Sequence, residues 1–103
     1  MVTLGQEKLQ ALRALCGKYA VRQLKLFGSA ASEGFDPERS DLDFLVEFGP
    51  PPKGMRLGTQ FFGMLEDLEI LFGRRVDLLE EHAIQNSRLR RNAVENSVTL
   101  YAA

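Results

Sequence analysis

Residues 26–48 read LFGSAASEGFDPERSDLDFLVEF, and this stretch carries both the clearest fold signal and the candidate site. From residue 41 onward every even position holds a large apolar side chain, whereas three of the odd positions hold acids, namely Asp41, Asp43 and Glu47. A period of two is typical of a strand with one buried face, because successive side chains point to opposite sides of the backbone. The stretch therefore predicts a strand over 41–48 whose polar face carries Asp41 and Asp43.

The sequence on either side predicts one small α+β domain over residues 1–103. The link between the first two strands is too short for a parallel crossover, so we expect that pair to be antiparallel. The sheet should be small and mixed, with helices packed on one side. The other predicted elements are a helix from Thr3 to Gly17, a strand over 20–27, a helix over 59–72 that ends at Gly73, a strand over 75–79, a helix over 81–95 and a short strand over 97–101.

Composition excludes several classes of protein. Hydrophobic residues make up 45% of the chain and charged residues 26%, which is a globular balance and not a disordered one. The formal net charge of −1, without a basic stripe, argues against nucleic-acid binding. We expect a cytoplasmic protein, because no apolar run could span a membrane, the N-terminus lacks a signal-peptide layout, and a single cysteine, Cys16, fits a reducing compartment.

Asp41 and Asp43 form a candidate metal pair. They stand two residues apart on a predicted strand, so both project from the same face. Two carboxylates held this close repel each other unless a cation lies between them. Mg²⁺ prefers oxygen ligands and often binds one or two carboxylates together with substrate phosphates. An isolated Asp-x-Asp is more often a solvated strand face, so the metal interpretation depends on neighbouring residues.

Two neighbouring features support the metal interpretation. Gly28 and Ser29 follow the first strand directly, where free backbone N–H groups and the Ser29 hydroxyl can bind phosphate, although Gly-Ser turns are common. Asp77 lies on a later strand and would join the cluster if that strand lies beside 41–48. Three carboxylates around two metal ions are typical of in-line phosphoryl or nucleotidyl displacement. Otherwise Asp77 is an ordinary aspartate on an edge strand or at a cap.

The stretch resembles the signature of the polymerase-beta-like nucleotidyltransferase superfamily, which is a Gly-Ser, roughly ten residues, and an Asp-x-Asp. It is most similar to the small MNT-type minimal nucleotidyltransferases, which often occur as antitoxins beside HEPN-domain toxins. The family's third carboxylate lies on a strand of the type Val-Asp-Leu, which matches Val76-Asp77-Leu78. The resemblance extends from the first helix through residue 80.

The resemblance implies a role for each matched residue. Gly28 and Ser29 would bind the nucleotide's phosphates. Asp41, Asp43 and Asp77 would be catalytic and would bind Mg²⁺, with two ions expected, and Asp77 would also help to deprotonate the attacking hydroxyl. The substrate would be ATP, pyrophosphate would leave, and AMP would pass to a tyrosine of a HEPN-type partner protein.

Two departures from the family pattern keep a second function open. Typical members have an arginine at the position of Ser32, and here eleven residues separate Ser29 from Asp41, which is one more than usual. Loss of the arginine would weaken triphosphate binding. The alternative is a catalytically weak or inactive antitoxin that neutralises its partner by contact alone. A protein that binds or tails RNA fits less well, because no basic stripe or aromatic platform is present.

The remaining candidates are more simply explained by structure than by function. We expect Cys16 to be a small core residue and the single histidine, His82, to face solvent. The Phe61-Phe62 pair should belong to the core, with part of that helix face available as an interface. A basic group near the C-terminus is more often a solvated face than a triphosphate or partner contact, and it comprises Arg74, Arg75, Arg88, Arg90 and Arg91.

Overall fold

A computed structural model describes residues 5–27, 42–84, 86, 88, 91 and 95–103. It confirms the predicted order of helices and strands. Thr3, Gly28, Ser29 and Asp41 lie outside the described residues. The elements are α1 (Gln6–Lys18), β1 (Val21–Phe27), β2 (Leu42–Phe48), α2 (Leu57–Phe72), β3 (Val76–Glu80), a 3₁₀ helix (Glu81–Ala83) and β4 (Val98–Ala102).

The region predicted as a helix over 81–95 begins differently. It opens with the 3₁₀ helix, and of the residues described after it, Arg88, Arg91 and Glu95 are helical. At the end of α2, Gly73 adopts a left-handed conformation with a φ of 64°, as expected for a C-terminal cap. None of the helices in the described part of the chain combines the length and the hydropathy that a membrane crossing requires.

The four strands form one mixed sheet in the order β3-β2-β1-β4. Strand β1 is antiparallel to both of its neighbours, β2 and β4. Strands β2 and β3 are parallel, and α2 provides the crossover that joins them. The predicted antiparallel first pair and the mixed sheet are therefore confirmed.

Both helices cover the same face of the sheet. Cys16 of α1 is fully buried, as predicted, and Phe44 of β2 packs against Phe72 of α2 with 5.8 Å between ring centroids. The two-residue period of β2 therefore points Phe44 and its even-numbered neighbours at the helices and Asp43 at the opposite face. The buried core consists of Leu12, Cys16, Tyr19, Val21, Leu24, Leu26, Leu42, Phe44, Val46, Met64, Leu68, Val76 and Leu78.

Helix α2 is fixed to the ends of α1 and β2 by one buried side chain. The Gln60 amide nitrogen donates hydrogen bonds to the carbonyl oxygens of Tyr19, at 2.8 Å, and Gly49, at 3.1 Å. Gln60 is only 2% exposed, so these bonds satisfy carbonyl groups that would be costly to bury alone. The rotation of α2 about its own axis is thereby set.

This rotation corrects one prediction about α2. Phe61 packs partly against the core, whereas Phe62 is 65% exposed. Consecutive helical residues point about 100° apart, so only one member of the pair can face the sheet. The prediction that Phe62 belongs to the core is wrong.

Candidate active site

Asp43 and Asp77 lie next to each other in the sheet. They are register partners on the parallel strands β2 and β3, so their Cα atoms occupy one row across the sheet. Neighbouring strands lie about 4.8 Å apart, and residues in one row of a parallel pair point to the same face. Both carboxylates therefore project from the face opposite the two helices. The strand that carries Asp77 therefore lies beside β2, which is the condition that the sequence set for Asp77 to lie near Asp43.

The two carboxylates have different surroundings. Asp43 is half-buried on the central strand β2, with Phe27 of β1 as its register partner on the other side. Asp77 lies on the edge strand β3 and is exposed. The row thus contains Phe27, the half-buried Asp43 and the exposed Asp77, in that order across the sheet. A ligand would approach from the side of Asp77.

Phe27 and Asp43 lie close in sequence to residues 28–41, which the structure does not describe. Gly28, Ser29 and Asp41 fall outside the described residues, so Asp43 and Asp77 are the predicted site residues that the structure describes. Phe27, the last described residue before Gly28, is the register partner of Asp43. Within residues 5–27, 42–84 and the later described positions, no group of three or more His, Cys, Asp or Glu side chains could hold a metal ion.

The donors in this row fit a hard divalent cation. Both are carboxylates, which supply the oxygen ligands that Mg²⁺ prefers, and Mg²⁺ needs few protein ligands because it retains several waters. The exposure of Asp77 leaves space for those waters. Carboxylates on adjacent strands also repel each other, which a bound cation would relieve.

An apolar pair on the same face follows the carboxylates, and the sequence prediction missed it. Leu45 and Leu79 are register partners two residues further along β2 and β3. Leu45 is only 1% exposed and Leu79 is 45% exposed. The signal was the leucine at position 45, which breaks the alternation of apolar and acidic residues. An incoming molecule at Asp77 would therefore meet the exposed Leu79 side chain beside the charge.

The 3₁₀ helix begins to cover this face directly after β3. It contacts β2, and the Glu81 carboxylate forms an ion pair with the Lys25 ammonium at 3.8 Å. Lys25 is the register partner of Leu45, so the ion pair lies over the same region. The positive charge of Lys25 is therefore compensated by the Glu81 carboxylate.

The other candidate residues behave largely as expected. The side chain of His82 is 74% exposed and lies 3.9 Å from the Glu80 carboxylate, so the predicted solvent-facing position is confirmed. Arg75, Arg88 and Arg91 are exposed and Arg74 is half-buried, whereas the side chain of Arg90 lies outside the description.

On the helix side, burial and hydrogen bonding shift the pKa of several groups, and Cys16 and Asp67 are two of them. Desolvation raises the pKa of the Cys16 thiol to about 12, which keeps it protonated. The hydrogen bond donated by the Tyr19 hydroxyl to Asp67, at 2.5 Å, together with Lys18, holds the pKa of the Asp67 carboxyl below its usual value. Both groups lie across the sheet from Asp43, so they stabilise the fold and take no part in the site.

Sequence comparison identifies close relatives. A protein family model described as a nucleotidyltransferase domain matches residues 9–100. The protein adenylyltransferase MntA of Thermococcus cleftensis is 31% identical over 91 residues, which cover 84% of this chain and 87% of the relative. A Methanocaldococcus jannaschii protein named "Putative protein adenylyltransferase MJ0128" is 35% identical over 81 residues, which cover 79% of this chain and 78% of the relative.

Solved structures of similar fold agree with the sequence relatives. A structure described as a "putative minimal nucleotidyltransferase" matches with a TM-score of 0.70 and 31% identity, covering 90% of this chain and 89% of that one. The complex of a tri-AMPylated Shewanella oneidensis HEPN toxin with its MNT antitoxin contains a match with a TM-score of 0.63. That match has 16% identity and covers 95% of this chain and 72% of that one, so it concerns the fold alone. With the family model spanning most of the sequence, the chain belongs to the nucleotidyltransferase domain family.

Proposed function

We propose that this chain transfers AMP from ATP to a hydroxyl group of a partner protein, with Mg²⁺ bound at Asp41, Asp43 and Asp77. The observation that carries the proposal is the shared row of Asp43 and Asp77, because it pairs the second carboxylate of the Asp-x-Asp with the Val-Asp-Leu carboxylate. Relatives named protein adenylyltransferases support the reaction class.

Each matched residue has a role in this proposal. Gly28 and Ser29 bind the triphosphate of ATP through backbone N–H groups and the hydroxyl. Asp41 and Asp43 hold the metal, and Asp77 completes the site. Bound Mg²⁺ would supply neutralisation of the triphosphate charge and of the charge on the leaving pyrophosphate.

The proposed reaction forms one bond, breaks one bond and moves one proton. The acceptor oxygen forms a bond to the α-phosphorus of ATP, and the bond from that phosphorus to the bridging oxygen breaks, so pyrophosphate leaves. The hydroxyl proton passes to the Asp77 carboxylate. Asp77 is exposed, so it can return that proton to water before the next turnover. The half-buried Asp43 is better suited to holding a cation than to exchanging protons with solvent.

A HEPN-type protein is the partner that we propose. The fold matches the antitoxin in a complex whose toxin carries AMP groups, and the relatives share the name of that activity. We place the reaction in the cytoplasm, where ATP is available and where the free thiol of Cys16 would stay reduced.

A labelling experiment tests the proposal. The chain is incubated with a candidate HEPN-type partner protein, α-labelled ATP and Mg²⁺, and transfer of label to that protein is measured. We expect Asp43→Asn and Asp77→Asn each to slow transfer by at least about a hundredfold. The matched control is Glu47→Gln, which removes an exposed carboxylate of the same strand outside the row and should change the rate less than twofold. The proposal fails if the wild type transfers no label, or if all three variants transfer it equally.

The second candidate is an antitoxin that acts by contact alone, and Ser32 at the usual arginine position favours it. A double variant, Asp41→Asn with Asp43→Asn, separates the two in cells that express the toxin. Protection by the double variant, when it is folded and bound to the partner, would support the contact mechanism. Loss of protection with binding intact would support AMP transfer.

A further inference from the structure

Leu79 is an apolar residue on the same face of the sheet as Asp43 and Asp77. It lies two residues after Asp77 on the edge strand β3, where alternate residues point to the same face. Its register partner Leu45 is 1% exposed, whereas Leu79 itself is 45% exposed. The exposed part of Leu79 is therefore accessible to a molecule that is bound at Asp77.

The direction of the proposed reaction decides which substrate lies at Leu79. In-line displacement requires the attacking oxygen and the leaving pyrophosphate to lie on opposite sides of the α-phosphorus. In the proposed function the triphosphate is bound by Gly28 and Ser29, which directly follow Phe27 at the end of β1. Strands β1 and β3 lie on opposite sides of β2. The acceptor hydroxyl therefore approaches from the side of β3, which carries Leu79.

The spacing between Asp77 and Leu79 matches an aromatic acceptor. Two residues of a strand span about 6.6 Å, which is close to the length of a tyrosine side chain. A phenol whose hydroxyl meets the Asp77 carboxylate can therefore lay its ring against Leu79 and remove apolar surface from water. The short side chain of a serine or threonine with its hydroxyl at the same place would not reach Leu79.

The base at this site favours the same acceptor. In the proposed reaction the carboxylate of Asp77 takes the hydroxyl proton. A carboxylate is a weak base, and it accepts a proton more readily from a phenol, whose usual pKa is about 10, than from an aliphatic alcohol, which is a much weaker acid. The chemistry of the base and the apolar side chain beside it thus indicate one kind of acceptor.

We infer that Leu79 is a specificity-determining residue for the acceptor, and that the ring of a tyrosine packs against it while the tyrosine hydroxyl lies at Asp77. The inference rests on the proposed function for the reaction and for the position of the triphosphate. Contact with Leu79 binds the acceptor and adds nothing to the binding of ATP. A change at Leu79 should therefore lower kcat/KM for a tyrosine acceptor and leave the KM for ATP unaltered.

Transfer of labelled AMP to two small acceptors, N-acetyltyrosinamide and N-acetylserinamide, tests this. We expect the wild type to prefer the tyrosine derivative. Leu79→Ser should lower kcat/KM for that derivative about tenfold, with transfer to the serine derivative and the KM for ATP each changed less than twofold.

Two further variants separate an apolar contact from a general disturbance of the site. Leu79→Met keeps an apolar side chain of similar volume and should retain at least about half of the wild-type kcat/KM for the tyrosine derivative. The matched control is Leu57→Ser, which alters a leucine of α2 that is 72% exposed on the helix side of the sheet. It should change transfer to either acceptor less than twofold.

Methyl NMR gives a readout that does not depend on turnover. With Mg²⁺ and an ATP analogue that cannot be cleaved at the α-phosphorus, the ring of N-acetyltyrosinamide should shift the Leu79 methyl resonances and leave those of Leu57 unchanged. N-acetylserinamide should shift neither. A shift at Leu79 without any AMP transfer would refute the proposed enzyme and keep Leu79 as an acceptor contact.

Other results would overturn the inference. Equal transfer to the tyrosine derivative by the wild type and Leu79→Ser would do so while leaving the proposed enzyme intact. An equal loss for both acceptors in Leu79→Ser would mean that the variant disturbs Asp77 and selects nothing. A raised KM for ATP would make Leu79 a nucleotide contact. The absence of both transfer and a Leu79 methyl shift would mean that no phenol is bound there.

Discussion

Asp43 and Asp77 lie side by side in one row of the sheet although a loop, a helix and a turn separate them in the chain. The crossover through α2 creates this relationship, because it makes β3 parallel to β2 and sets the register between them. Two carboxylates in one row repel each other, and a cation relieves that repulsion. The stability of the domain should therefore respond to Mg²⁺.

Mg²⁺ should raise the melting temperature of the wild-type chain and not that of Asp77→Asn. A ligand at ten times its Kd contributes about 1.4 kcal/mol to the free energy of unfolding, or several degrees for a domain of this size. Without Mg²⁺, Asp77→Asn should be at least as stable as the wild type, since it removes one of two like charges. Glu47→Gln is the control and should keep the Mg²⁺ response. An equal response in Asp77→Asn would contradict a metal site in this row.

Gly63→Ala and Gly58→Ala should have opposite effects, although both glycines lie in α2. A Cβ on Gly63 would lie 2.8 Å from a ring carbon of Tyr19, whose buried ring cannot retreat because its hydroxyl is bonded to Asp67. A Cβ on Gly58 meets nothing within 4 Å. We expect Gly63→Ala to lower the free energy of unfolding by about 1–3 kcal/mol and Gly58→Ala to raise it by up to about 1 kcal/mol. Urea unfolding measures both, and equal shifts would be inconsistent with the close contact.

Tyr19→Phe should destabilise the domain in a pH-dependent way. The hydrogen bond from Tyr19 is the main reason that the pKa of Asp67 is lowered in the folded state. A lowered pKa contributes stability that is fully present above the unfolded value, about 4, and is lost as the pH falls through the folded value. The deficit of the variant should be about 1 kcal/mol at pH 7 and should shrink below about pH 4.

On the alkaline side of the same experiment, the Tyr19 phenol should make the stability of the wild type fall as the pH rises. Burial raises the pKa of the Tyr19 phenol, so its stabilisation persists below the unfolded value, about 10, and disappears as the pH rises through the folded value. Lys18→Met is the comparison variant for the free energy of unfolding. It should lower that energy less than Tyr19→Phe does, because Lys18 is 58% exposed and its ion pair with Asp67 is screened by water. Unfolding measured at pH 3, at pH 7 and above pH 10 would contradict this account if the Tyr19→Phe deficit were the same under all three conditions.

Cys16 should be unreactive in the folded protein. It is fully buried, and burial raises its pKa to about 12, so neither access nor thiolate is available at pH 8. A thiol reagent such as dithionitrobenzoate should label it only after unfolding, with one thiol per chain in guanidinium chloride. Rapid labelling of the native protein would mean that α1 separates from the sheet far more often than its packing suggests.

Local patterns in the sequence predict most of the helices and strands and the face on which Asp43 lies. The two-residue period of 41–48 predicts a strand and assigns Asp43 to its polar face, because strand geometry leaves no other choice. The apolar period of α2 and Gly73 at its end predict that helix and its stop, because capping is a local interaction. Cys16 and His82 were likewise predictable, since their surroundings follow from local patterns.

Which distant residues lie beside each other depends on the packing of the whole chain. The pairing of Asp43 with Asp77 depends on strand order and register, which arise from packing α2 against the sheet and are not encoded in either strand alone. The rotation of α2, which the hydrogen bonds of Gln60 set, exposes Phe62, which the sequence predicts to be buried. A local pattern specifies a face to bury, but the long-range contacts of the whole chain select the neighbours of that face.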